Sequence, residues 1–409
     1  MSATVSPARV TALLCGAEIL SMTAAMAYPA LLPELQREWQ LSNTSAGLIS
    51  GSFFAGYMAA VPVLTSSTDR FDARRVYLFA TLLAAAGAAG FGLIARGPVT
   101  AVLFQALAGA GLAGTYMPGL RILADHIEGR RRNRHLAFYT STFGLGTSAS
   151  LLAAGALAAG FGWPIAFLVL ALGPLLAGAL VVWSTPASKP RARAGARQAL
   201  LDFRPVLRNR AARSYIVAYA AHSFELFGVR SWMVAFFAFS ATLQSRGAGY
   251  VWGAAAAAAA INLLGPIASI LGNELAGGYG RRRTIARIMV ASAVMAALIG
   301  FSAPLPWLVV FGLMAVYFLL VMGDSAALTA GLVNAAAPAR RGASMAVHSF
   351  LGFGAGFIAP LVFGAVLDGA GGGQDVVAWG LAFASMGLGA AIGPLSFMLY
   401  ERSVRRRRG

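Results

Sequence analysis

The sequence predicts an all-α membrane protein with twelve transmembrane helices arranged in two homologous bundles of six. Its 409 residues are 58% hydrophobic and only 11% charged, whereas a soluble domain is about 45–50% apolar. Mean hydropathy is correspondingly high, at +0.71. A polar turn rich in arginine also occurs twice, at 69–75 and at 277–283. Such a recurrence about half a chain apart is typical of membrane proteins built from two repeats.

Twelve apolar segments are long enough to cross a bilayer, which requires about 20 helical residues. Segments 1 to 6 are predicted at 10–33, 45–66, 76–95, 98–120, 136–160 and 164–183. Segments 7 to 12 are predicted at 214–240, 249–275, 284–303, 306–334, 342–367 and 376–400. We therefore expect an N-terminal six-helix bundle at 1–183, a basic cytoplasmic linker at 184–213 and a C-terminal six-helix bundle at 214–409.

The chain is strongly basic, and its charge is unevenly distributed. A net charge of +18 and a pI near 11.2 would suggest a nucleic-acid partner in a soluble protein. Most of the 32 Lys and Arg residues, however, fall in loops on one side of the predicted helices. The positive-inside rule assigns that side to the cytoplasm. We therefore expect a multi-pass protein of the cytoplasmic membrane, with both termini in the cytoplasm, lipid headgroups near the linker and no nucleic-acid partner.

The first apolar segment is expected to be a retained helix and not a cleaved signal peptide. Only Arg9 provides positive charge before it, and no cleavage pattern of small residues follows a short apolar run. The segment contains Cys15, the single cysteine of the chain, so an intramolecular disulfide is excluded.

The two halves of the sequence match each other at a nearly constant offset. Glu18 in segment 1 aligns with Glu225 in segment 7, and the run 143–146 in segment 5 aligns with 353–356 in segment 11. The matching segments hold the same ordinal position in each half. This agreement favours two parallel repeats of six helices.

The loop after segment 2 carries a recognisable charge pattern. It contains the pairs Asp69-Arg70 and Arg74-Arg75, with Asp72 between them. The chain thereby resembles the major facilitator superfamily, whose pattern here is glycine, three variable residues, Asp-Arg, one variable residue, glycine and basic residues. The charged positions match, but Thr65 and Asp72 stand where the family has glycine.

The loop after segment 8 matches the same pattern in a complementary way. It keeps the second glycine, Gly280, and the basic run 281–283, but it has Gly277 and Gly278 in place of the Asp-Arg pair. The two partial matches lie in corresponding loops of the two halves, so the resemblance extends over the whole chain.

The resemblance implies a secondary transporter that moves a small organic solute by alternating access. It also implies a gating charge cluster that stabilises the outward-open state, with these members: Asp69, Arg70, Arg74, Arg75 and Asp125. Asp125, at the end of segment 4, is expected to pair with an arginine of the loop. The alternative is that these charges only fix the topology.

The sequence of segment 5 helps to decide which branch of the family the chain resembles. Proton-driven drug exporters usually carry a Gly-Pro pair there, but residues 143–150 contain no proline. The buried arginine expected of the nitrate and nitrite branch is also missing from segments 2 and 8. A narrower substrate range is therefore favoured, and a multidrug/proton antiporter remains the alternative because Glu18 is a buried acid on segment 1.

Ionisable residues within the segments are the candidates for proton coupling, because they are costly in lipid and usually face the bundle interior. Five residues are assigned to this role: Glu18, Glu225, Asp324, His222 and His348. Glu18 and Glu225 are proposed as the coupling pair, since they occupy equivalent places near the bilayer midplane. The alternative is that these groups only satisfy one another within the packed helices.

Segment 7 carries a polar face that is predicted to line a substrate cavity. Tyr215, Tyr219 and His222 step toward Glu225 at helical spacing, and Trp232 lies two turns further on. These residues would present phenol, imidazole and carboxylate groups to a solute.

Arg230, also assigned to the cavity, lies five residues after Glu225 and on a different face of an ideal helix. It is expected to hold an anionic substrate group or an acid on another helix, or else to reach the lipid headgroups. Asp324 in segment 10 has no basic neighbour on its own helix, which favours a protonatable or substrate-facing acid.

Other classes of function are not supported by the sequence. There is no metal-ligand spacing, phosphate-binding loop or nucleophile arrangement, and no segment could house a nucleotide-binding domain. We therefore expect a monomer that needs no metal or cofactor and is not an enzyme. A non-transporting membrane sensor of the same fold is the alternative from a different class.

Overall fold

The computed structural model describes residues 6–127, 132–186, 204–244 and 252–406. Within those ranges all regular structure is helical and no strand occurs. Eleven helices in the described part of the chain are long and apolar enough to cross a membrane. The greater part of the predicted linker, 187–203, lies outside the described residues.

Nine of the predicted segments are single helices. Segments 2 to 6 are Asn43–Ser67, Ala73–Ile94, Pro98–His126, Arg132–Phe161 and Trp163–Ser184. Segments 7, 9, 11 and 12 are Arg210–Leu243, Arg281–Ile299, Arg341–Gly369 and Val376–Arg405. Two 3-10 turns, Gly300–Ser302 and Pro338–Arg340, and a short helix, Arg204–Arg208, lie between them.

Three segments are interrupted. Their helical pieces are Pro7–Ser21 and Ala27–Glu38 in segment 1, Ala254–Asn262 and Leu264–Tyr279 in segment 8, and Trp307–Gly323 and Ser325–Ala335 in segment 10. All three were expected to be continuous. The breaks in segments 8 and 10 are single residues, Leu263 and Asp324, whose backbone stays helical, so each of these segments still has the length of a membrane span. The longer break in segment 1 leaves two pieces that are each too short, which is why eleven helices and not twelve meet that length. The two pieces of segment 1 lie where the sequence predicts the remaining span.

Segment 5 stabilises the interruption of segment 1. The Ser150 hydroxyl donates a hydrogen bond to the Thr23 carbonyl at 2.6 Å and accepts one from the Met26 amide at 2.9 Å. The Thr23 hydroxyl in turn donates to the Leu170 carbonyl of segment 6 at 2.8 Å. Backbone groups freed by a broken helix must find partners inside the protein, because lipid offers none.

Local sequence determines where several helices begin. Asp72 caps segment 3 by accepting a hydrogen bond from the Arg74 amide at 3.0 Å, which accounts for an aspartate where the family has glycine. Asn209 caps segment 7 through the amides of residues 211 and 212. That helix therefore begins at Arg210, earlier than the sequence predicted. Gly280 has a φ of +92°, a backbone conformation that favours glycine.

The chain divides into two compact units. The first comprises Met1–Leu35 with Ser52–Arg193, and the second comprises Gln36–Gly51 with Ala194–Gly409. The core of the first unit includes Leu14, Tyr139 and Val181, and that of the second includes Ile216, Met289 and Leu328.

Within the second unit, Asp368 at the end of segment 11 caps the start of segment 2. Its carboxylate accepts hydrogen bonds from the amide and side chain of Asn43, at 3.0 and 2.7 Å, and from the amide and hydroxyl of Thr44, at 2.8 and 2.6 Å. The two helices touch through their backbones, since a Cβ atom at Gly47 would collide with the Pro360 carbonyl.

Candidate functional site

The first polar site surrounds Glu18 in the first unit. Glu18 is fully buried, and the Tyr139 hydroxyl of segment 5 donates to its Oε2 at 2.9 Å. Tyr77 of segment 3 is also buried here. In the part of the chain that the structure describes, Glu18 Oε1 has no hydrogen-bonding partner. This oxygen is therefore an acceptor that the described side chains leave unused.

Glu18 lies one turn before the interruption of segment 1. The Ser21 hydroxyl donates to the Glu18 carbonyl at 2.8 Å, where the helix ends. Interrupted helices place free backbone groups beside a cavity, and in transporters such places commonly hold substrate or coupling ions. The carboxylate is thus located beside the broken part of the helix.

The second polar site surrounds Glu225 in the second unit. Its Oε1 accepts hydrogen bonds from the Ser292 hydroxyl of segment 9 at 2.8 Å and from the Tyr317 hydroxyl of segment 10 at 3.0 Å. The Glu225 side chain is only 2% exposed. Each glutamate thus has a buried tyrosine as donor, but the tyrosine comes from segment 5 in the first unit and from segment 10 in the second.

His222 and Asp324 form a buried pair in the same unit. His222 Nδ1 lies 2.6 Å from Asp324 Oδ1, and their side chains are 2% and 4% exposed. Asp324 stands at the interruption of segment 10, between Gly323 and Ser325. An imidazole and a carboxylate this close form an ion pair when the histidine is protonated. The basic neighbour that Asp324 lacks on its own helix is supplied by segment 7.

Tyr219 connects His222 with His348 of segment 11. Its ring stacks on His348 with 3.5 Å between ring centroids and lies against His222 at 5.7 Å. His348 Nε2 is 3.4 Å from the Thr329 hydroxyl of segment 10. The structure therefore brings all four predicted ionisable residues of the second half into neighbouring positions on segments 7, 10 and 11.

Arg230 is buried and does not extend to the headgroups. It is 5% exposed, and its Nε donates to Asn262 Oδ1 of segment 8 at 3.0 Å. Its guanidinium lies 5.6 Å from the centre of the Phe318 ring. No carboxylate in the described ranges forms an ion pair with it. Asn262 ends the first piece of the interrupted segment 8, so this site also lies at a helix interruption.

Tyr215 and Trp232 lie apart from these contacts. Tyr215 is part of the hydrophobic core of the second unit, with the Arg282 guanidinium 5.2 Å from its ring centre. Trp232 is fully buried, stacks on Phe363 at 5.2 Å and donates to the Pro360 carbonyl at 3.0 Å. Their assignment to a substrate cavity stays a prediction.

The charge cluster of the first unit is organised by Arg121 of segment 4. Its Nη1 contacts Asp69 Oδ1 at 2.5 Å and the Thr68 hydroxyl at 2.7 Å, and its Nε lies 3.9 Å from Asp125 Oδ2. Asp125 was expected to pair with a loop arginine. The structure instead pairs it with Arg121, one turn earlier on its own helix, and a spacing of four residues is the signal that could have indicated this contact.

The loop arginines make other contacts. Arg74 Nη2 donates to the Val182 carbonyl near the end of segment 6 at 2.6 Å. Arg70 and Arg75 are exposed. Positive charge at the carboxyl end of a helix is favourable, so Arg74 stabilises segment 6 locally.

Several contributors to these sites were not singled out from the sequence. They are Tyr139, Tyr317, Ser292 and Arg121, each of which reaches its partner across the fold or one turn along a helix. Within the described ranges, no three His, Cys, Asp or Glu residues come together in a way that could hold a metal ion. These sites present buried carboxylates, imidazoles and one guanidinium group.

The chain is similar to proteins named as transporters. The family model for the Major Facilitator Superfamily matches residues 13–360. Monocarboxylate transporter 11 of Mus musculus is 31% identical over 383 residues, which cover 91% of this chain and 76% of that protein. Niacin transporter NiaP of Acinetobacter baylyi is 26% identical over 160 residues, which cover 39% of this chain and 36% of that protein.

Solved structures show the same fold. A bacterial homolog of the human lysosomal transporter Spinster, in an inward-facing and occupied conformation, has a TM-score of 0.79 at 14% identity, covering 97% of this chain and 98% of that one. The nucleoside transporter NupG has a TM-score of 0.71 at 16% identity, covering 96% and 98%. The chain therefore belongs to the major facilitator superfamily.

Proposed function

We propose that this protein is a secondary transporter that moves a small organic anion together with a proton by alternating access. The observation that carries the proposal is Arg230, a buried guanidinium in segment 7 with no carboxylate partner in the described part of the chain. A carboxylate is the substrate group that fits it best.

Burying a cation without a partner is expensive inside a membrane protein, and such residues are usually functional. Arg230 uses one donor, Nε, on Asn262, and the face of its guanidinium lies over Phe318. Four further N–H donors remain on its terminal nitrogens. Arginine presents these donors as a planar fork that matches the two oxygens of a carboxylate. An anionic substrate would thus complete a site that is otherwise unbalanced.

Proton coupling is supported by acids near Arg230 on the same helix and its neighbours. Glu225 is buried and accepts two hydrogen bonds, and the buried side chains of His222 and Asp324 approach each other to 2.6 Å. An anion entering beside Arg230 would be accompanied by a proton on one of these groups, so that the loaded protein crosses between states without added charge. Such compensation avoids moving a net charge through a low-dielectric interior.

The relatives agree with a carboxylate solute. One is named for monocarboxylates and another for niacin, which is itself a pyridine carboxylic acid. The substrate proposed here is accordingly a small monocarboxylate.

The test measures uptake of four compounds into proteoliposomes. Nicotinate and nicotinamide form a matched pair, because nicotinate carries a carboxylate where nicotinamide carries a neutral amide. Pyruvate and lactate are the two further carboxylates. We expect saturable uptake of one or more of the carboxylates and none of nicotinamide. Arg230→Gln should abolish it, while Arg208→Gln, which removes an exposed arginine, should not. Carboxylate uptake that survives Arg230→Gln, or uptake of none of the three acids, would overturn the proposal.

A second candidate is a multidrug/proton antiporter for cations. The buried Glu18, whose Oε1 has no partner among the described residues, is the observation that favours it. Extrusion of a fluorescent organic cation that depends on Glu18 and is unaffected by nicotinate would select this alternative.

The location proposed with this function is the cytoplasmic membrane, with a monomeric protein and both termini in the cytoplasm. The uneven distribution of arginine supports this orientation. A reporter that requires the cytoplasm should be active when fused at Arg408 and inactive when inserted near Gly372. The opposite result would reverse the orientation.

A further inference from the structure

The carboxyl end of segment 12 and the start of segment 7 enclose a basic pocket whose residues have no role in the proposed transport. The pocket has a volume of about 420 Å³, and its lining is as follows: Arg210, Leu399, Arg402, Ser403 and Arg406. Three guanidinium groups thus line one concavity, and all three arginines are exposed.

The charges of the pocket are not neutralised within the protein. No described carboxylate forms an ion pair with Arg210, Arg402 or Arg406. The Ser403 hydroxyl donates to the Tyr400 carbonyl at 2.7 Å and keeps its lone pairs as acceptors. Arg210 is the first residue of its helix, at the positive end of the helix dipole, whereas Arg402 and Arg406 stand at the negative end of segment 12, so the guanidinium groups themselves supply the net positive charge. The pocket therefore fits a phosphate-bearing anion.

An apolar surface leads directly away from the pocket along segment 12. Four exposed residues share one face of that helix at spacings of four, three and four: Leu388, Ile392, Leu395 and Leu399. The stripe is about 16 Å long at 1.5 Å per residue, which is about half the 30 Å hydrocarbon core of a bilayer. Its last member, Leu399, is itself part of the pocket lining.

We propose that this pocket binds the headgroup of an anionic phospholipid, whose acyl chain lies along the stripe formed by Leu388, Ile392, Leu395 and Leu399. The assignment of the lipid to the cytoplasmic leaflet rests on the proposed topology, which places this end of segment 12 on the cytoplasmic side. A free phosphate would use the guanidinium groups but not the stripe, so the continuity of the two surfaces favours a lipid. Basic pockets between transmembrane helices on this side are suited to such headgroups.

The test compares lipid binding by the wild-type protein and by two triple variants that carry the same net charge as each other. One variant is Arg210→Gln/Arg402→Gln/Arg406→Gln, which empties the pocket of charge. The control replaces three exposed arginines elsewhere in the second unit: Arg208, Arg283 and Arg287. Native mass spectrometry of protein in detergent micelles, with phosphatidylglycerol and phosphatidylcholine added in equal amounts, measures which lipid is retained.

We expect the wild-type protein and the control to retain phosphatidylglycerol over phosphatidylcholine. The pocket variant should lose about 10- to 100-fold in that preference, since each of the three arginines that face the same headgroup contributes about a fivefold preference for anionic lipid, whereas the control arginines do not line this pocket. Equal losses in both variants, or none in the pocket variant, would overturn the proposal. Stabilisation by glycerol phosphate or inorganic phosphate as strong as that by phosphatidylglycerol would identify a free-phosphate site and would also overturn it. Uptake assays are not involved, so failure here is distinct from failure of the transport proposal.

Discussion

Ser150 is expected to be essential to the stability of the interruption in segment 1. Its hydroxyl satisfies both the Met26 amide and the Thr23 carbonyl, and Ser150 is 0% exposed. Ser150→Ala would leave both backbone groups without this partner. Interhelical hydrogen bonds in membranes are worth about 0.6–1.7 kcal/mol each. Two such bonds predict that the free energy of unfolding falls by about 1–3 kcal/mol.

Ser148 provides the matched control on the same helix. It is also buried, but its hydroxyl donates at 3.1 Å to the Gly144 carbonyl of its own helix. When the hydroxyl is removed, that carbonyl keeps its backbone hydrogen bond within the helix. Thermal unfolding of the two purified variants in one detergent measures the difference. We expect Ser150→Ala to unfold several degrees below Ser148→Ala, and equal unfolding temperatures would refute the assigned role of the hydroxyl.

Three further predictions follow from the buried and interfacial acids. Replacing Glu18 or Glu225 with glutamine should abolish proton-driven accumulation but leave exchange at equal pH intact, and accumulation at the wild-type level would make both carboxylates structural. Asp69→Asn removes the partner of Arg121 and should slow transport without lowering expression; unchanged kinetics would reject a gating role. Asp368→Ala removes a cap of four hydrogen bonds at an exposed position and should cost about 1 kcal/mol of stability, which an unchanged unfolding temperature would contradict.

The helices of this protein could be predicted from apolar runs alone, because a membrane span must be long, apolar and continuous enough to satisfy its own backbone. The interruption of segment 1 could not. Residues 22–26 contain neither glycine nor proline, so local propensity gives no reason to break the helix there. The break is stabilised instead by Ser150, whose relation to segment 1 exists only in the folded chain.

The candidate site could be predicted in part. Ionisable residues in lipid are rare, so Glu18, Glu225 and Asp324 could be selected from the sequence. Their partners could not, since Tyr139 and Tyr317 are ordinary aromatic residues until the helices pack. Arg121 was missed for a related reason, because an arginine near a loop is expected from topology alone.

The most direct test of the central claim is the movement of protons with the substrate. Purified protein is reconstituted into liposomes that contain a pH-sensitive dye, and nicotinate, pyruvate or lactate is added outside at equal pH. We predict acidification of the lumen faster than in protein-free liposomes, abolished by Arg230→Gln and Glu225→Gln. Glu274→Gln, which removes an exposed carboxylate of segment 8, should leave it unchanged. Carboxylate uptake through the protein without any acidification would contradict proton-coupled anion transport.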